Sequence, residues 1–372
     1  MRPIIKWPGG KSNEIEKILP LIPAYDRYIE PFFGGGALYF HLEPRQAAVN
    51  DISPDLMEFY RLVRAQDGTL RRRLLEYDRA FRGLLSLCGS VYPLLLGLFH
   101  TALNGEADGE EMKNCLDVLI DGLWPRFRDA LSGELGLEEG ALKRRLSAAA
   151  LDKLLRTVKN HQKQPFSPED LRENLLTGFA SGFYLCVRDR FNDIQSGRVS
   201  CPSSADRIAN FYWIREYCYG SMFRYNKRGD FNIPYGGMSY NRKDFRSKVE
   251  AMFSDRMGGL MEGTRICCRD FEDFLNEVVP TENDFLFLDP PYDTDFNDYE
   301  GKAFGHDEQE RLAEVLSRTR AKFILIIKNT PFIHGLYEGR FHIQPFDNRY
   351  TYNVRSRNDR NVEHLIITNF EP

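Results

Sequence analysis

The feature that most constrains the fold is an apolar run that ends in an acid, two prolines and an aromatic ring. Residues 285–288 read Phe-Leu-Phe-Leu, which is typical of a strand buried on both faces, and Asp289-Pro290-Pro291-Tyr292 follows directly. In an open α/β sheet, ligands bind beyond the carboxyl ends of the strands. The pattern therefore predicts a site in the loop after a buried strand.

This loop offers hydrogen-bond acceptors. Proline has no N–H, so the carbonyls at Pro290 and Pro291 lack neighbouring donors, and the Asp289 carboxylate adds two more acceptor oxygens. Tyr292 adds a ring face for stacking. A planar amine that donates both hydrogens, such as the exocyclic amine of a base, fits this lining. Taken alone, the four residues 289–292 are also compatible with a strand followed by an ordinary tight turn, in which Asp289 is a turn residue.

A second pattern near the N-terminus predicts a strand, a glycine turn and a helix. Residues 28–30 read as a strand, residues 31–37 as a turn with Gly34, Gly35 and Gly36, and residues 38–42 as a helix. The next strand, 47–50, ends in Asp51, where nucleotide-type folds hold a ribose. The short gap from Gly36 to Asp51 suits one adenosine. Residues 10–12 do not form a phosphate loop, because Ile5 stands where that motif requires glycine.

Apolar segments are distributed unevenly along the 372 residues. The ends alternate strands and helices, whereas residues 65–211 have mostly helical periodicity. We therefore predict an α/β fold whose catalytic domain, 1–65 and 250–372, is interrupted by a mostly helical region, 66–249. Its mixed sheet combines strands near 28–30, 47–50, 264–268, 284–288, 323–327 and 362–368.

Charge is informative only locally. The net charge of −4 does not indicate a nucleic-acid-binding protein, but residues 224–246 contain six basic residues against two acids, interleaved with aromatic rings. This pattern favours a nucleic-acid surface over a solvated charged face. A basic run within residues 143–163 is equally compatible with a second such surface or an exposed helix face. A third group, predicted to clamp the nucleic-acid backbone from a loop, is Arg349, Arg355, Arg357 and Arg360.

Several segments, in this order, resemble the Dam-like (D12 class) DNA adenine-N6 methyltransferases. They are residues 6–11, 30–36, 50–51, 224–236, 289–292 and 362–370. The resemblance implies a Rossmann-like, S-adenosylmethionine-dependent methyltransferase fold. It also implies transfer of a methyl group to N6 of an adenine flipped out of duplex DNA, without a metal. The helical region would then be an inserted target-recognition region.

The resemblance also implies roles for individual residues. Positions that contact S-adenosylmethionine are matched by Trp7, Lys11, Asp51 and Asp289, and the FxGxG turn by Phe32, Gly34 and Gly36. Asp289, the Pro290 carbonyl and Tyr292 match the group that holds and polarises the adenine. The implied DNA contacts are Lys6, Tyr219, Arg224, Asn226, Lys227 and Arg228, with Arg224 as the base reader.

Two departures from the family pattern stand out. Residues 66–165 match nothing in the smaller members, and Gly237 replaces an arginine typical of enzymes that read GATC. Alternative functions are a methyltransferase acting on RNA adenine, cytosine N4 or protein glutamine, and an inactive DNA-binding regulator. Asp289 favours adenine over cytosine or glutamine.

The remaining predictions concern the setting of the protein. The seven cysteines have no zinc-type spacing and are expected to be reduced, and the N-terminus lacks a long apolar stretch, so we expect a cytoplasmic protein. We further expect a monomer or weak dimer, with a restriction or phage-defence system as a possible partner.

Overall fold

In a computed structural model the chain is described at residues 1–10, 14–131, 135–291, 304–349 and 361–371. It divides into two compact units, Met1–Ala65 with Asp255–Pro372, and Gln66–Ser254. The predicted boundary at 249/250 falls inside a helix, Phe245–Met252, and the division between the units follows the end of that helix.

The first unit contains a seven-stranded mixed sheet. Its strands are β1 (Arg27–Glu30), β2 (Ala47–Asn50), β3 (Thr264–Cys267), β4 (Asp284–Leu288), β5 (Lys322–Lys328), β6 (His342–Arg349) and β7 (Asn361–Thr368). Their order is β3-β2-β1-β4-β5-β7-β6. Strands β1 to β5 are parallel, while β7 is antiparallel to both its neighbours. The chain order reverses between β1 and β4, which makes the carboxyl ends of these two strands the topological switch point.

The α/β prediction is confirmed, but β6 was missed. Its sequence is polar and contains Pro345, which argues against a central strand. The structure places β6 at the edge of the sheet, paired to β7 alone, where a missing N–H is tolerated.

Helices of this unit cover the sheet and complete its core. They are α1 (Ile15–Ile18), α2 (Ala37–Leu42), α3 (Pro54–Arg64), α11 (Asp255–Glu262), α12 (Phe271–Val278), α13 (His306–Arg318) and α14 (Pro331–Tyr337). One apolar cluster joins buried side chains of α12, α13 and α14 to strands β1, β4, β5 and β7. Every residue of β4 is buried, which explains the continuous apolar run at residues 285–288.

The second unit is helical. Its helices are α4 (Gly68–Ser90), α5 (Tyr92–Asn104), α6 (Gly109–Ala130), α7 (Glu139–Lys163), α8 (Pro168–Gln195), α9 (Ser204–Tyr217) and α10 (Phe245–Met252). An aromatic core surrounds Trp213 on α9, whose ring lies 5.6 Å from Tyr77, 5.4 Å from Phe183 and 4.6 Å from Tyr217. Packing between these buried rings therefore contributes to the stability of this unit.

Helices α7 and α8 approach closely because α8 carries two glycines one turn apart. A Cβ atom built at Gly182 would lie 2.7 Å from the Leu146 Cα, and one at Gly178 would lie 2.8 Å from the Ala150 Cα. Any larger residue would force the helices apart.

Among the described residues, no single helix is long and apolar enough to cross a membrane. The bent pair Gly68–Ser90 and Tyr92–Asn104 passes that test only when taken together.

Candidate functional site

Three acidic residues meet at the carboxyl edge of the sheet. Glu30 is the last residue of β1, Asp51 follows β2, and Asp289 follows β4, and β1 lies between the other two strands. Glu30 is only 3% exposed and accepts a hydrogen bond from the Tyr28 hydroxyl at 2.7 Å. Burial raises the pKa of Glu30 well above its usual range, and the charges of Asp289 and Asp51 raise it further. The switch point therefore brings three carboxyl groups together, and burial favours the protonated form of Glu30.

Backbone donors orient the Asp51 carboxylate. Its Oδ2 accepts from the Gly34 N–H at 2.9 Å, and its Oδ1 accepts from the Ser53 N–H at 3.0 Å. The Tyr60 hydroxyl in turn donates to the Gly34 carbonyl at 3.0 Å. Asp51 is thus held against the glycine turn, as the strand-turn-helix pattern requires.

The turn requires glycine at two positions. Gly34 and Gly36 have φ of +48° and +64°, a region that other residues rarely adopt. A Cβ atom at Gly34 would lie 2.8 Å from Cδ1 of Trp7, and one at Gly36 would lie 2.6 Å from Cζ of Phe33. Trp7, both glycines and Asp51 are therefore brought together around one turn.

Asn50, the last residue of β2, links the loops that follow β1 and β3, a role that the sequence did not reveal. Its Nδ2 donates to the carbonyls of Pro31 at 3.1 Å and Arg269 at 3.0 Å, and its Oδ1 accepts from the Arg269 N–H at 2.9 Å. The signals in the sequence were a polar residue that ends an otherwise apolar strand and its place in the resembling segment 50–51. Asn50 fixes the loops after β1 and β3 relative to β2.

Phe32 joins an aromatic group at the same edge. Its ring centroid lies 5.5 Å from that of Phe271 on α12 and 5.6 Å from that of Phe304. The side chain of Ile52, next to Asp51, is 55% exposed. The edge thus presents apolar surface beside its carboxylates.

The loop after Asp289 is anchored by Gln309 on α13, another residue that sequence reasoning missed. Its Nε2 donates to the Pro291 carbonyl at 3.1 Å, and the side chain is fully buried. Its Oε1 has no hydrogen-bond partner among the described residues. Lys11 and Tyr292, predicted for cofactor binding and catalysis, lie outside the described residues. So do Arg355, Arg357, Arg360 and the side chain of Arg349.

Most predicted DNA contacts lie on a two-stranded ribbon in the helical unit, residues 217–236. Its outer part is a hairpin, in which Tyr225 bridges Phe231 and the Asn232 N–H donates to the Arg224 carbonyl at 3.1 Å. Arg224 is exposed, and its Nε donates to Asn232 Oδ1 at 2.8 Å. At the base of the ribbon Tyr219 is 40% exposed, so it is not a core tyrosine.

The hairpin tip is shaped by Asn226. Its Oδ1 accepts from the N–H groups of Arg228 at 2.8 Å and Asp230 at 3.0 Å, and its Nδ2 donates to the Asp230 carboxylate. The amide of Asn226 therefore serves the turn. Lys227 and Arg228 beside it are exposed, and neither forms an ion pair with any residue that the structure describes. Lys6, in the other unit, is also exposed.

A buried guanidinium supports the segment between Tyr219 and Arg224. Arg215 on α9 is almost fully buried and donates to the carbonyls of Ser221 at 2.8 Å and Met222 at 2.9 Å. Its carbon Cζ lies 3.4 Å from the ring centroid of Phe223. Burial lowers the pKa of Arg215.

The second basic run, on α7, is largely neutralised. Lys143 pairs with Asp121 and Glu139, Arg145 pairs with Asp189, and Arg156 pairs with Asp152. Burial lowers the pKa of Lys153. These pairs favour an exposed helix face over a second nucleic-acid surface.

Residues 7–80 and 147–352 match the family model of the D12 class N6 adenine-specific DNA methyltransferases. The chain belongs to this family. It is therefore a DNA adenine methyltransferase, and its reaction requires a methyl donor. The predicted resemblance is confirmed. Residues 81–146 remain outside the family match, a shorter stretch than the predicted 66–165.

Methyltransferases from a virus, an archaeon and a bacterium are similar to the chain. The Type II methyltransferase M.CviBI of Paramecium bursaria Chlorella virus NC1A is 24% identical over the whole of both chains. The Type II methyltransferase M.MjaIII of Methanocaldococcus jannaschii is 26% identical, covering 91% of this chain and 89% of the relative. A DNA adenine methylase of Vibrio cholerae is 22% identical, covering 91% and 85%.

Proposed function

We propose that this DNA adenine methyltransferase uses S-adenosyl-L-methionine to methylate N6 of an adenine flipped out of duplex DNA at a specific sequence. The observation that carries the proposal is the meeting of Glu30, Asp51 and Asp289 at the switch point between β1 and β4. The carboxylates of Asp51 and Asp289 beside a glycine turn suit a cationic nucleoside ligand.

The residues around the turn fit this donor. Asp51, oriented by two backbone N–H groups, would accept hydrogen bonds from the ribose hydroxyls. Ile52 and Phe32 offer apolar surface for the adenine ring, and Trp7 lies against Gly34. Gly36 allows close backbone approach. We assign Lys11 to the same site on the family resemblance.

Catalysis in this proposal rests on Asp289 and Pro290. When bound, S-adenosylmethionine supplies an activated methyl group on a sulfonium. The amine of adenine is a poor nucleophile, because its lone pair is delocalised into the ring. Acceptors at the Asp289 carboxylate and the Pro290 carbonyl would hold both N–H hydrogens and favour the pyramidal nitrogen that attacks. Asp289 would then take the proton that N6 loses, and Tyr292 would stack on the flipped base.

DNA recognition is assigned to the ribbon and to Lys6. Arg224 would read a base edge in the major groove, and Lys227 and Arg228 would contact phosphates. Tyr219 would fill the space left by the flipped base. Asn226 would act indirectly, by shaping the tip that carries Lys227 and Arg228.

We also assign the enzyme to a restriction-modification or phage-defence setting. Two relatives that align along nearly their full length are named Type II methyltransferases. We propose a monomer or weak dimer, which sedimentation of the purified protein would test.

The proposal is tested by expressing the wild type and Asp289→Ala in a bacterial host without adenine methylation. Single-molecule sequencing of the host DNA would map modified adenines. N6-methyladenine should occur at one short motif with the wild type and be absent with Asp289→Ala. Glu310→Ala, which removes an exposed acid of α13 in the same unit, is the matched control and should methylate normally. Equal methylation by Asp289→Ala and the wild type would refute the catalytic assignment.

A further inference from the structure

We infer that side chains on one face of α8 make the hydrogen bonds that a third strand would make to the DNA-reading hairpin. We further infer that Asn192 on this face is a positioning residue for target recognition. The inference rests on the proposed role of the hairpin in DNA binding. It assigns a function to side chains that belong to none of the sequence motifs.

Three side chains of α8 reach the hairpin from one helix face. Tyr184, Arg188 and Asn192 are spaced four residues apart, so they lie above one another on α8. The Tyr184 hydroxyl donates to the Ile233 carbonyl at 2.9 Å, and Arg188 Nη1 donates to the same carbonyl at 3.3 Å. These two side chains fix one end of the segment 231–233.

Asn192 fixes the other end by imitating a strand. Its Oδ1 accepts from the Phe231 N–H at 2.8 Å, and its Nδ2 donates to the Phe231 carbonyl at 3.1 Å. A neighbouring antiparallel strand would make the same pair of bonds to one residue. Asn192 is 9% exposed and Phe231 is buried, so water does not readily replace these bonds.

The backbone of residues 230–233 forms hydrogen bonds on its two edges in alternation, as a β-strand does. Asp230 and Asn232 bond across the hairpin to Asn226 and Arg224. Phe231 and Ile233 face the other way and bond to α8. An isolated two-stranded hairpin is only marginally stable in water. Helix α8 therefore supplies the missing edge.

We call the hydrogen bonds from α8 to Phe231 and Ile233 the clamp. The clamp supports the proposed base reader, Arg224, through Asn232. Asn232 lies between the two clamped residues, and its Oδ1 accepts from Arg224 Nε at 2.8 Å. Loosening residues 231–233 would free Asn232 and allow the Arg224 guanidinium several orientations. Discrimination between bases then falls, because a bidentate contact depends on a fixed guanidinium.

The test compares Asn192→Leu with Asn210→Leu. Asn210 on α9 is also buried, and its side chain also makes two hydrogen bonds, but both are donated by Nδ2, to the Tyr77 hydroxyl and the Val187 carbonyl within the helical core. Asn192→Leu should raise KM for DNA about tenfold and lower the preference for the target over single-base variants by a similar factor. Methyl-donor affinity should not change. Asn210→Leu should lower Tm while leaving discrimination unaltered.

A second variant covers the case in which Asn192→Leu does not fold. Asn192→Asp keeps the acceptor for the Phe231 N–H but turns a second carboxylate oxygen toward the Phe231 carbonyl. Protonation restores a donor, so its KM for DNA relative to the wild type should fall as pH is lowered. If the ratio of the KM for DNA of Asn192→Asp to that of the wild type did not depend on pH, the clamp would be contradicted. Equal discrimination between target and single-base variants by Asn192→Leu and Asn210→Leu would also contradict it.

Lys227→Ala separates the clamp from the proposed role of the hairpin. If Lys227→Ala weakens DNA binding while Asn192→Leu behaves like Asn210→Leu, only the clamp is refuted. If Lys227→Ala leaves DNA binding and its salt dependence unchanged, the assignment of the hairpin to DNA fails, and the clamp inference fails with it.

Discussion

At the scale of single residues, Glu30 is unusual because it is an acid buried in the unit that contains the sheet. It is a buried acid whose pKa is raised by burial, and it has two further acids nearby. Folding therefore favours its protonated form. The unfolded chain releases this proton above a pKa of about 4.5. Stability is lost as pH rises from there toward the raised pKa of the folded state.

We predict that Glu30→Gln removes this part of the pH dependence. The amide oxygen can still accept from the Tyr28 hydroxyl, but no charge is buried at high pH. Urea unfolding between pH 4 and pH 8 should show the variant gaining stability relative to the wild type as pH rises. If the free energies of unfolding of the two proteins changed in parallel with pH, Glu30 would titrate alike in the folded and unfolded states, and the prediction would be wrong.

Gln309 allows a prediction about the loop that follows Asp289, the proposed catalytic residue. Gln309→Met removes the donor to the Pro291 carbonyl, so kcat should fall by about tenfold while methyl-donor affinity is retained. Gln309→Glu should recover activity at low pH, because a protonated carboxyl donates again. Steady-state kinetics across pH would measure this. Tyr337→Phe, a buried change in α14 of the same unit, is the control and should keep the wild-type profile.

The hairpin residues should differ in what they contribute to binding. Lys227→Ala and Arg228→Ala should each weaken binding alike on all DNA sequences, and each should lower the slope of log K against log salt by about 0.9. Arg224→Ala should instead relax the choice of base. Titrations of target and single-base variants at several salt concentrations would separate the two effects. Unchanged specificity in Arg224→Ala would remove it as the reader.

At the scale of elements, the packing of α7 against α8 depends on glycine. Gly182→Ala should destabilise the helical unit by about 1–3 kcal/mol, because the added methyl group meets the Leu146 backbone. Gly122→Ala on α6 is the matched control, since its Cβ meets no described atom within 4 Å. It should be stabilising by about 0.5–1 kcal/mol. Equal Tm values for both variants would contradict the close approach.

The elements differ in how readily the sequence reveals them. Strands β1, β2 and β4 could be predicted because each has apolar residues that run into a glycine turn or an acid. Strand β6 could not, because its pairing to β7 depends on a partner rather than on its own composition. Asn50, Gln309 and Asn192 were missed for a related reason. Each is a polar residue whose bonds join segments far apart in sequence.

At the scale of the whole molecule, the order of the motifs was more informative than composition. The net charge of −4 gave no sign of a DNA-binding protein, whereas the basic and aromatic residues within 224–246 predicted one. Sequence order could identify the glycine turn and the acids Asp51 and Asp289 as parts of one site. It could not reveal that α8 supports the hairpin, since that depends on tertiary packing.

The strands of the sheet come from two separate parts of the sequence, so they are synthesised at different times. Strand β1 pairs on one side with β2, but its other partner, β4, is synthesised about 250 residues later. The helical unit between them can fold while one edge of β1 is still unpaired. A ribosome that stops between residues 254 and 289 thus releases a polypeptide with the complete ribbon, residues 217–236, but without Asp289. On the proposed mechanism, truncated translation products could occupy a target sequence but could not leave a mark on it.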